Sequence, residues 1–309
     1  MTDRVLITGA SGFVGRALVR VLTAGATQVR AATRDPSAAT FPKGVEVAAV
    51  ADYRQPVDWG PLLADVDAVV HVAGVAHIGP GIGEAVYDRI VHAATAELVA
   101  ACGQTKVRRL IFMSSVRAQS GPSADHILTE DDAPQPTEAY GRAKLKAEAA
   151  VRAGNVSWTI LRPTMVYGPG AKGNLANLLR LADTPWPLPL ASFTGRRSLV
   201  SLDNLIGAVT LAFSSEATAR QTYLVADPAP VTLPEIVATM RRGLERPPRL
   251  VPAPTWMFEG PLKLIGRGDA WQRLGGSLVV NPGKLIAAGW RPDADTQGAL
   301  VRMARSKGS

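Results

Sequence analysis

One cysteine in 309 residues, Cys102, leaves no internal disulfide framework and no cysteine-rich zinc site to consider. Its setting, AELVAACG, is a helical apolar run, so it reads as a buried, inert thiol. No stretch approaches the ~18 consecutive apolar residues of a membrane-crossing helix, so no integral membrane segment is expected. No basic-then-apolar leader precedes the first strand-like run, RVLIT; no export signal is expected, and a reducing cytoplasmic setting fits. Aromatics make up only 6%, and the net charge of +8 comes from scattered Lys and Arg. A nucleic-acid binder wants a clustered basic face with interleaved aromatics, so nucleic acid is not expected as a partner. Anionic small molecules, or loose attraction to an acidic membrane surface, fit the charge better. His71, His77, His92 and His126 show no ligand spacing, and no metal is expected. Internal repeats and low-complexity tracts are also absent.

What is present is an ordinary globular composition, 47% hydrophobic and 19% charged, with enough chain for one large or two modest domains. Six short apolar runs read as strands: VLIT (5–8), VRAAT (29–33), VEVAAV (45–50), DAVVHVAG (67–74), RRLIFMSS (108–115) and NVSWTILRP (155–163). Helical patterns such as RALVRVLTAG and EAVYDRIVHAATAELVAACG lie between them. This alternation predicts an α/β, Rossmann-like, doubly wound parallel sheet. After about residue 163, Pro and Gly crowd in, as in TPWPLPLAS and ERPPRLVPAP. Residues 164–309 are therefore expected to form mostly a smaller, loop-rich substrate region at the carboxyl ends of the strands, with pieces of about 198–226 returning to the sheet.

Gly9, Gly12 and Gly15 form G-x-x-G-x-x-G between the first strand and the first helix. Such glycines let the backbone approach a pyrophosphate at the helix N-terminus, with Ser11, Phe13 and Val14 in the same turn. Residues 1–163 thus read as a dinucleotide-binding domain. The second strand ends Ala32-Thr33-Arg34-Asp35. Arg34 can fork onto a 2′-phosphate and Thr33 can add a hydroxyl, which favours NADP(H); Asp35 keeps NAD(H) open. Asp52, with Tyr53 beside it, is placed to receive the adenine amino group or else is a surface turn carboxylate. In EAYGRAKLKAE, Tyr140 and Lys144 stand one helical turn apart. The bland reading of that pair is an amphipathic helix with a tyrosine at its buried edge and a solvated lysine.

Taken together these pieces resemble the extended short-chain dehydrogenase/reductase family, of NAD-dependent epimerase/dehydratase type, over nearly the whole chain. TGASGFVG matches its glycine motif, and HVAG (71–74) matches its strand-four motif, which puts Val72, Ala73 and Gly74 next to the cofactor. Of the two serines in FMSS, Ser115 is the closer match to the family's catalytic serine, with Ser114 on the cofactor side. YGRAK supplies Tyr140 and Lys144, and LRPTMVYGPG matches the segment flanking the nicotinamide, beginning at Pro163. The resemblance implies that Tyr140 exchanges a proton with a sugar hydroxyl during hydride transfer and that Ser115 fixes the same oxygen. Lys144 would stabilise the phenolate and hold the nicotinamide ribose. Two positions depart from the family pattern. Val91 stands where an asparagine is often found, and SSVRAQSG replaces a tyrosine-glycine turn, which leaves Arg117 either facing the substrate or solvated.

The second half is similar to the nucleotide-diphosphate-sugar site of that family. The likeness places Asn174, opening a helix, at the diphosphate, and Leu188, Pro189 and Leu190 along the base through backbone contacts. It places Arg197 at the nucleotide phosphate or ribose, unless Arg196 and Arg197 are a surface pair, and gives Arg273 as a second cation. The implied substrate is a UDP-sugar. Reduction of a UDP-4-keto-6-deoxy-hexosamine comes first, a UDP-sugar 4-epimerase with bound NAD second, and a non-catalytic dinucleotide sensor last. Nearest are the enzymes of bacterial polysaccharide synthesis, and by resemblance a homodimer paired through the two long helices around the tyrosine motif is expected.

Overall fold

The computed structural model describes residues 3–25, 27–74, 83–254, 256–259, 272–273, 275–293 and 295–306. His77 lies outside them. The central sheet has seven strands: β1 (Arg4–Thr8), β2 (Gln28–Thr33), β3 (Glu46–Ala49), β4 (Ala68–His71), β5 (Arg109–Met113), β6 (Ser157–Pro163) and β7 (Gln221–Val225). Their spatial order is β7-β6-β5-β4-β1-β2-β3, and every pairing is parallel. The chain steps outward from β1 to β3, then crosses back to place β4 on the other side of β1. That reversal opens a crevice at the carboxyl ends of β1 and β4.

Strand periodicity sorts the core into two layers. Val5 and Ile7 face one way, packing with Leu18 of helix α1 (Phe13–Ala24) and with Leu205 and Val209 of a later helix, Leu202–Ser214. Leu6 faces the other way, towards Leu98 of α2 (Ala94–Cys102) and Ala147 and Val151 of α3 (Ala139–Ala153). Cys102 is buried in that second layer, and burial pushes its thiol up to about 12, so it stays protonated at neutral pH. The helix entering α2 begins at Glu84 and widens into a π turn over Asp88–Ala93.

The six expected strands are present, most of them trimmed at their ends, and the seventh comes from the second half. That half is richer in helix than its Pro and Gly content implied. Helices α4 (Asn174–Ala182), α5 (Leu202–Ser214), α6 (Leu233–Gly243) and α7 (Thr296–Arg305) are all present; α5 returns to the sheet, while α4, α6 and α7 help enclose a core of their own with Tyr167, Leu188, Phe193 and Leu199. Helix α6 starts with a capping box, Thr232 and Glu235 each bonding the other's backbone, which fixes its start despite the prolines around it. Among the described residues no helix is long and apolar enough to cross a membrane.

Candidate active site

The glycine turn sits at the crevice. Gly9 has φ +66°, and a Cβ there would stand 2.9 Å from the Ala73 backbone; one at Gly15 would stand 2.1 Å from the Gly9 carbonyl. Only glycine lets the turn, helix α1 and the segment after β4 come this close. Gly12 caps α1 without a side-chain hydrogen bond, and the first turn carries no carboxylate. The helix end therefore presents backbone N–H groups with no competing anion, which fits a pyrophosphate. Thr33 Oγ1 donates to Ser11 Oγ at 3.1 Å, so the end of β2 joins the same turn, and Arg34 beside it is exposed. Asp52 is exposed and accepts the Arg54 N–H at 3.0 Å, the surface-turn arrangement. The Tyr53 ring packs on Trp59 and His71, and its buried hydroxyl lies beside Thr8 at the end of β1, with burial pushing it above the ordinary tyrosine range.

His71 closes the floor. Its Nδ1 meets Thr8 Oγ1 at 2.7 Å, and the same threonine oxygen accepts the Ala73 N–H at 3.2 Å. Burial, then the Lys144 charge, pull the imidazole down to about 3, so it is neutral at working pH. His71 is thus a packed strand-end residue holding the 72–74 segment.

Tyr140 and Lys144 lie one turn apart on α3, as the spacing requires, but the solvated-lysine reading fails. Lys144 is 2% exposed, donates to the Met113 carbonyl at 2.7 Å and sits 4.7 Å over the Phe112 ring. A Cβ on Gly74 would stand 3.3 Å from its Nζ, which puts the ammonium beside the segment after β4. Burial lowers it to about 8, opposed by the Glu148 carboxylate. Tyr140 is half-buried, with Tyr87 edge-on at 6.0 Å. Burial pushes its phenol above the ordinary tyrosine range, while a hydrogen bond with Ser115 and the Arg117 charge pull it back. The Arg117 charge thus favours the phenolate, while the Lys144 ammonium donates to the Met113 carbonyl. Ser115 Oγ accepts the Arg117 N–H at 3.1 Å, which leaves its own proton free for another acceptor.

Around Tyr140 the charges are unequal. Arg117 pairs with Glu138 at 3.6 Å, and Arg273 also bonds Glu138, two residues before Tyr140. Arg197 is buried, not a surface pair with the exposed Arg196; it donates to the carbonyls of Gln272 and Gly276, each at 2.8 Å. Burial and then the nearby Arg117 charge bring its guanidinium down to about 10. Two arginines, Arg117 and Arg273, thus share the Glu138 carboxylate near the phenol, with Arg197 close by. Asn174 is exposed at the first position of α4, after Gly173 with φ +68°.

One expectation is corrected. Leu188 and Leu190 are core side chains, and the Leu188 backbone is already engaged: its N–H donates to Arg249, and its carbonyl accepts from Leu190 and Val251. Pairing with the 249–251 segment took the backbone groups assigned to a base. Three residues escaped the sequence reading. Glu148 shares the α3 stripe with Tyr140 and Lys144 and accepts from Ser114 and Arg162, while Arg162 reaches Gln119. The i, i+4 spacing of Lys144 and Glu148 was the available signal. Ser114 is accordingly tied into the interior at 2.5 Å from Glu148. Pro163 ends β6, buried.

A glycine-turn dinucleotide cradle beside a serine–tyrosine–lysine set defines a Rossmann-type oxidoreductase site. The chain belongs to the NAD-dependent epimerase/dehydratase family, whose profile matches residues 5–226. It is similar to a UDP-glucose 4-epimerase of Vibrio cholerae, 32% identical over 99% of this chain and 96% of that protein. It is also similar to an Escherichia coli O157:H7 N-acetyl-α-D-glucosaminyl-diphospho-ditrans,octacis-undecaprenol 4-epimerase, 26% identical over 84% of this chain and 78% of that one. The fold matches that of MoeE5, solved with UDP-glucose and NAD, at TM-score 0.79 and 24% identity over 99% of each chain.

Proposed function

We propose that this protein is a UDP-sugar 4-epimerase. The observation that carries the reading is the meeting of Ser115, Tyr140 and Lys144 beside the glycine turn in a chain 32% identical, end to end, to a UDP-glucose 4-epimerase. The dinucleotide, when bound, supplies hydride exchange at sugar C4. Gly9, Gly12, Gly15 and Ser11 hold its pyrophosphate side, and Val72 to Gly74 and Pro163 border the rest. Tyr140 moves the proton of the C4 hydroxyl, Ser115 orients that oxygen, and Lys144 stands by the nicotinamide ribose. Arg117, Arg197 and Arg273 gather on one side of the phenol, two of them paired with Glu138, and suit a diphosphate. Asn174 adds a polar contact there. Pairing of two copies through the helices 84–102 and 139–153 belongs to the same reading.

Reduction of a UDP-4-keto sugar by diffusible NADPH stays as a second reading because of Arg34. It is exposed, and its neighbour Asp35 is engaged with Ser37 rather than with it. The deciding experiment is acid release of nucleotide from the purified protein, followed by conversion of UDP-glucose or UDP-N-acetylglucosamine without added cofactor. Stoichiometric NAD and 4-epimer product support the epimerase. An empty protein that consumes NADPH only with a 4-keto sugar moves the assignment to the reductase, and a protein that binds no dinucleotide overturns both.

A further inference from the structure

Glu148, Arg162 and Gln119 take no part in the chemistry above, yet they lie directly behind it. The Glu148 carboxylate is fully buried and takes hydrogen bonds from three elements. Ser114, just past β5, donates at 2.5 Å; Arg162 of β6 donates at 2.9 and 2.7 Å; Arg152 of α3 donates at 2.8 Å. The remaining Arg162 arm donates to Gln119 at 2.8 Å, and Gln119 in turn bonds the carbonyls of Thr129 and Asp132. Ser114 is flanked by Met113, whose carbonyl holds Lys144, and by Ser115.

We propose that the Glu148–Arg162 pair, extended by Gln119, is the positioning unit of this active site, locking the 113–119 segment to the face of α3 that carries Tyr140 and Lys144. The inference rests on the assignment of Ser115, Tyr140 and Lys144 as the reacting set. A purely structural ion pair explains less. Buried ion pairs can often be replaced by apolar residues of similar volume without loss of stability. Here the Ser114 bond ends between Met113, which holds Lys144, and Ser115, and the Arg162 bond to Gln119 ends on the same 113–119 segment. The pair also has an electrostatic output. Glu148 stands one turn from Lys144 and is the carboxylate opposing its desolvation. Its other neighbours are the neutral His71 of β4, the Phe112 ring of β5 and Tyr140 on its own helix. Burial by itself would raise the Glu148 carboxyl, but Arg162, Ser114 and Arg152 outweigh it and keep the carboxylate charged.

The test compares the holoenzyme with Glu148→Gln and with the double variant Glu148→Met/Arg162→Met, which removes the pair while keeping its volume. Lys144 titration is followed by NMR of isotope-labelled lysine, a readout that needs no substrate, alongside kcat, KM and the pH profile. The expected result in Glu148→Gln is a Lys144 titration about one pH unit lower or more, because an opposite charge nearby has gone, with a smaller downward shift in the double variant, which loses the Arg162 cation as well. The alkaline limb of kcat should move the same way, with kcat down about 10- to 100-fold and KM within about twofold. Unchanged Lys144 titration and kcat in folded Glu148→Gln would overturn the proposal; should the double variant not fold, that single variant decides. A wild-type protein that turns over no UDP-sugar would sink the functional assignment instead, and the lysine titration would still judge the positioning role.

Discussion

Two buried arginines receive opposite treatment from this fold. Arg162, 2% exposed, meets a carboxylate with two of its nitrogens and an amide oxygen with the third. Arg197, 9% exposed, donates to the backbone carbonyls of Gln272 and Gly276, and among the described residues the charge that acts on it is the repelling one of Arg117. A guanidinium brought out of water needs compensation. Where the chain supplies it, as in the Glu148 network, the charge serves as a joint between elements. Where the described partners are carbonyls, as around Arg197, the proposed function gives the charge an anion that would arrive with the substrate. Charge balance therefore separates the scaffold from the binding surface more sharply than burial does.

The largest effect is expected where the two regions converge. Tyr140→Phe should lower kcat about 10³-fold while dinucleotide binding, measured by fluorescence titration, stays within about twofold. A residual rate near wild type would remove Tyr140 from the chemistry and the comparison with it. The next pair of variants tests the contrast itself. Arg162→Met leaves Glu148 buried without its cation and should cost about 3–5 kcal/mol in denaturant unfolding. Arg197→Met should change stability less and instead raise KM for the UDP-sugar about 10- to 100-fold, the worth of charge-assisted hydrogen bonds to a diphosphate. If the two variants exchanged their effects, the division between joint and receptor would be wrong. The smallest effect tests whether an uncompensated arginine also marks a site when it is exposed. Arg34→Ala should weaken NADPH about tenfold and NADH by no more than about twofold, read as a ratio of dissociation constants.

The sheet, and the serine, tyrosine and lysine proposed to react, were legible because both are written locally. Alternating apolar runs specify strands, a glycine triplet after the first one specifies the turn, and a four-residue spacing puts Tyr140 and Lys144 on one face. What stayed hidden depends on residues far apart in sequence. Glu148 and Arg162 look like surface charges until β5, β6 and α3 come together. Leu188 looked open to a base until the 249–251 segment paired with it. Arg197 could not be told from its exposed neighbour Arg196 by composition, since only tertiary packing decides which of two adjacent arginines turns inward. The surroundings of the pair stayed hidden for the same reason: Lys144 and Tyr140 share a helix face, but the Met113 carbonyl that the ammonium meets and the Arg117 charge that acts on the phenol come from the end of β5 and the segment after it.

The seventh strand also bears on biosynthesis. β7, residues 221–225, pairs with Thr159–Pro163 of β5's outer neighbour, β6, whose residues are buried from Trp158 to Pro163. A nascent chain that has emerged only as far as residue 163 carries the glycine turn, the serine and the tyrosine helix, but ends in an apolar strand with one edge bare. Such an edge recruits other strands. Completion of the seven-stranded sheet must therefore wait until some sixty further residues have left the ribosome, and a chain cut after residue 163 is expected to expose the edge of β6.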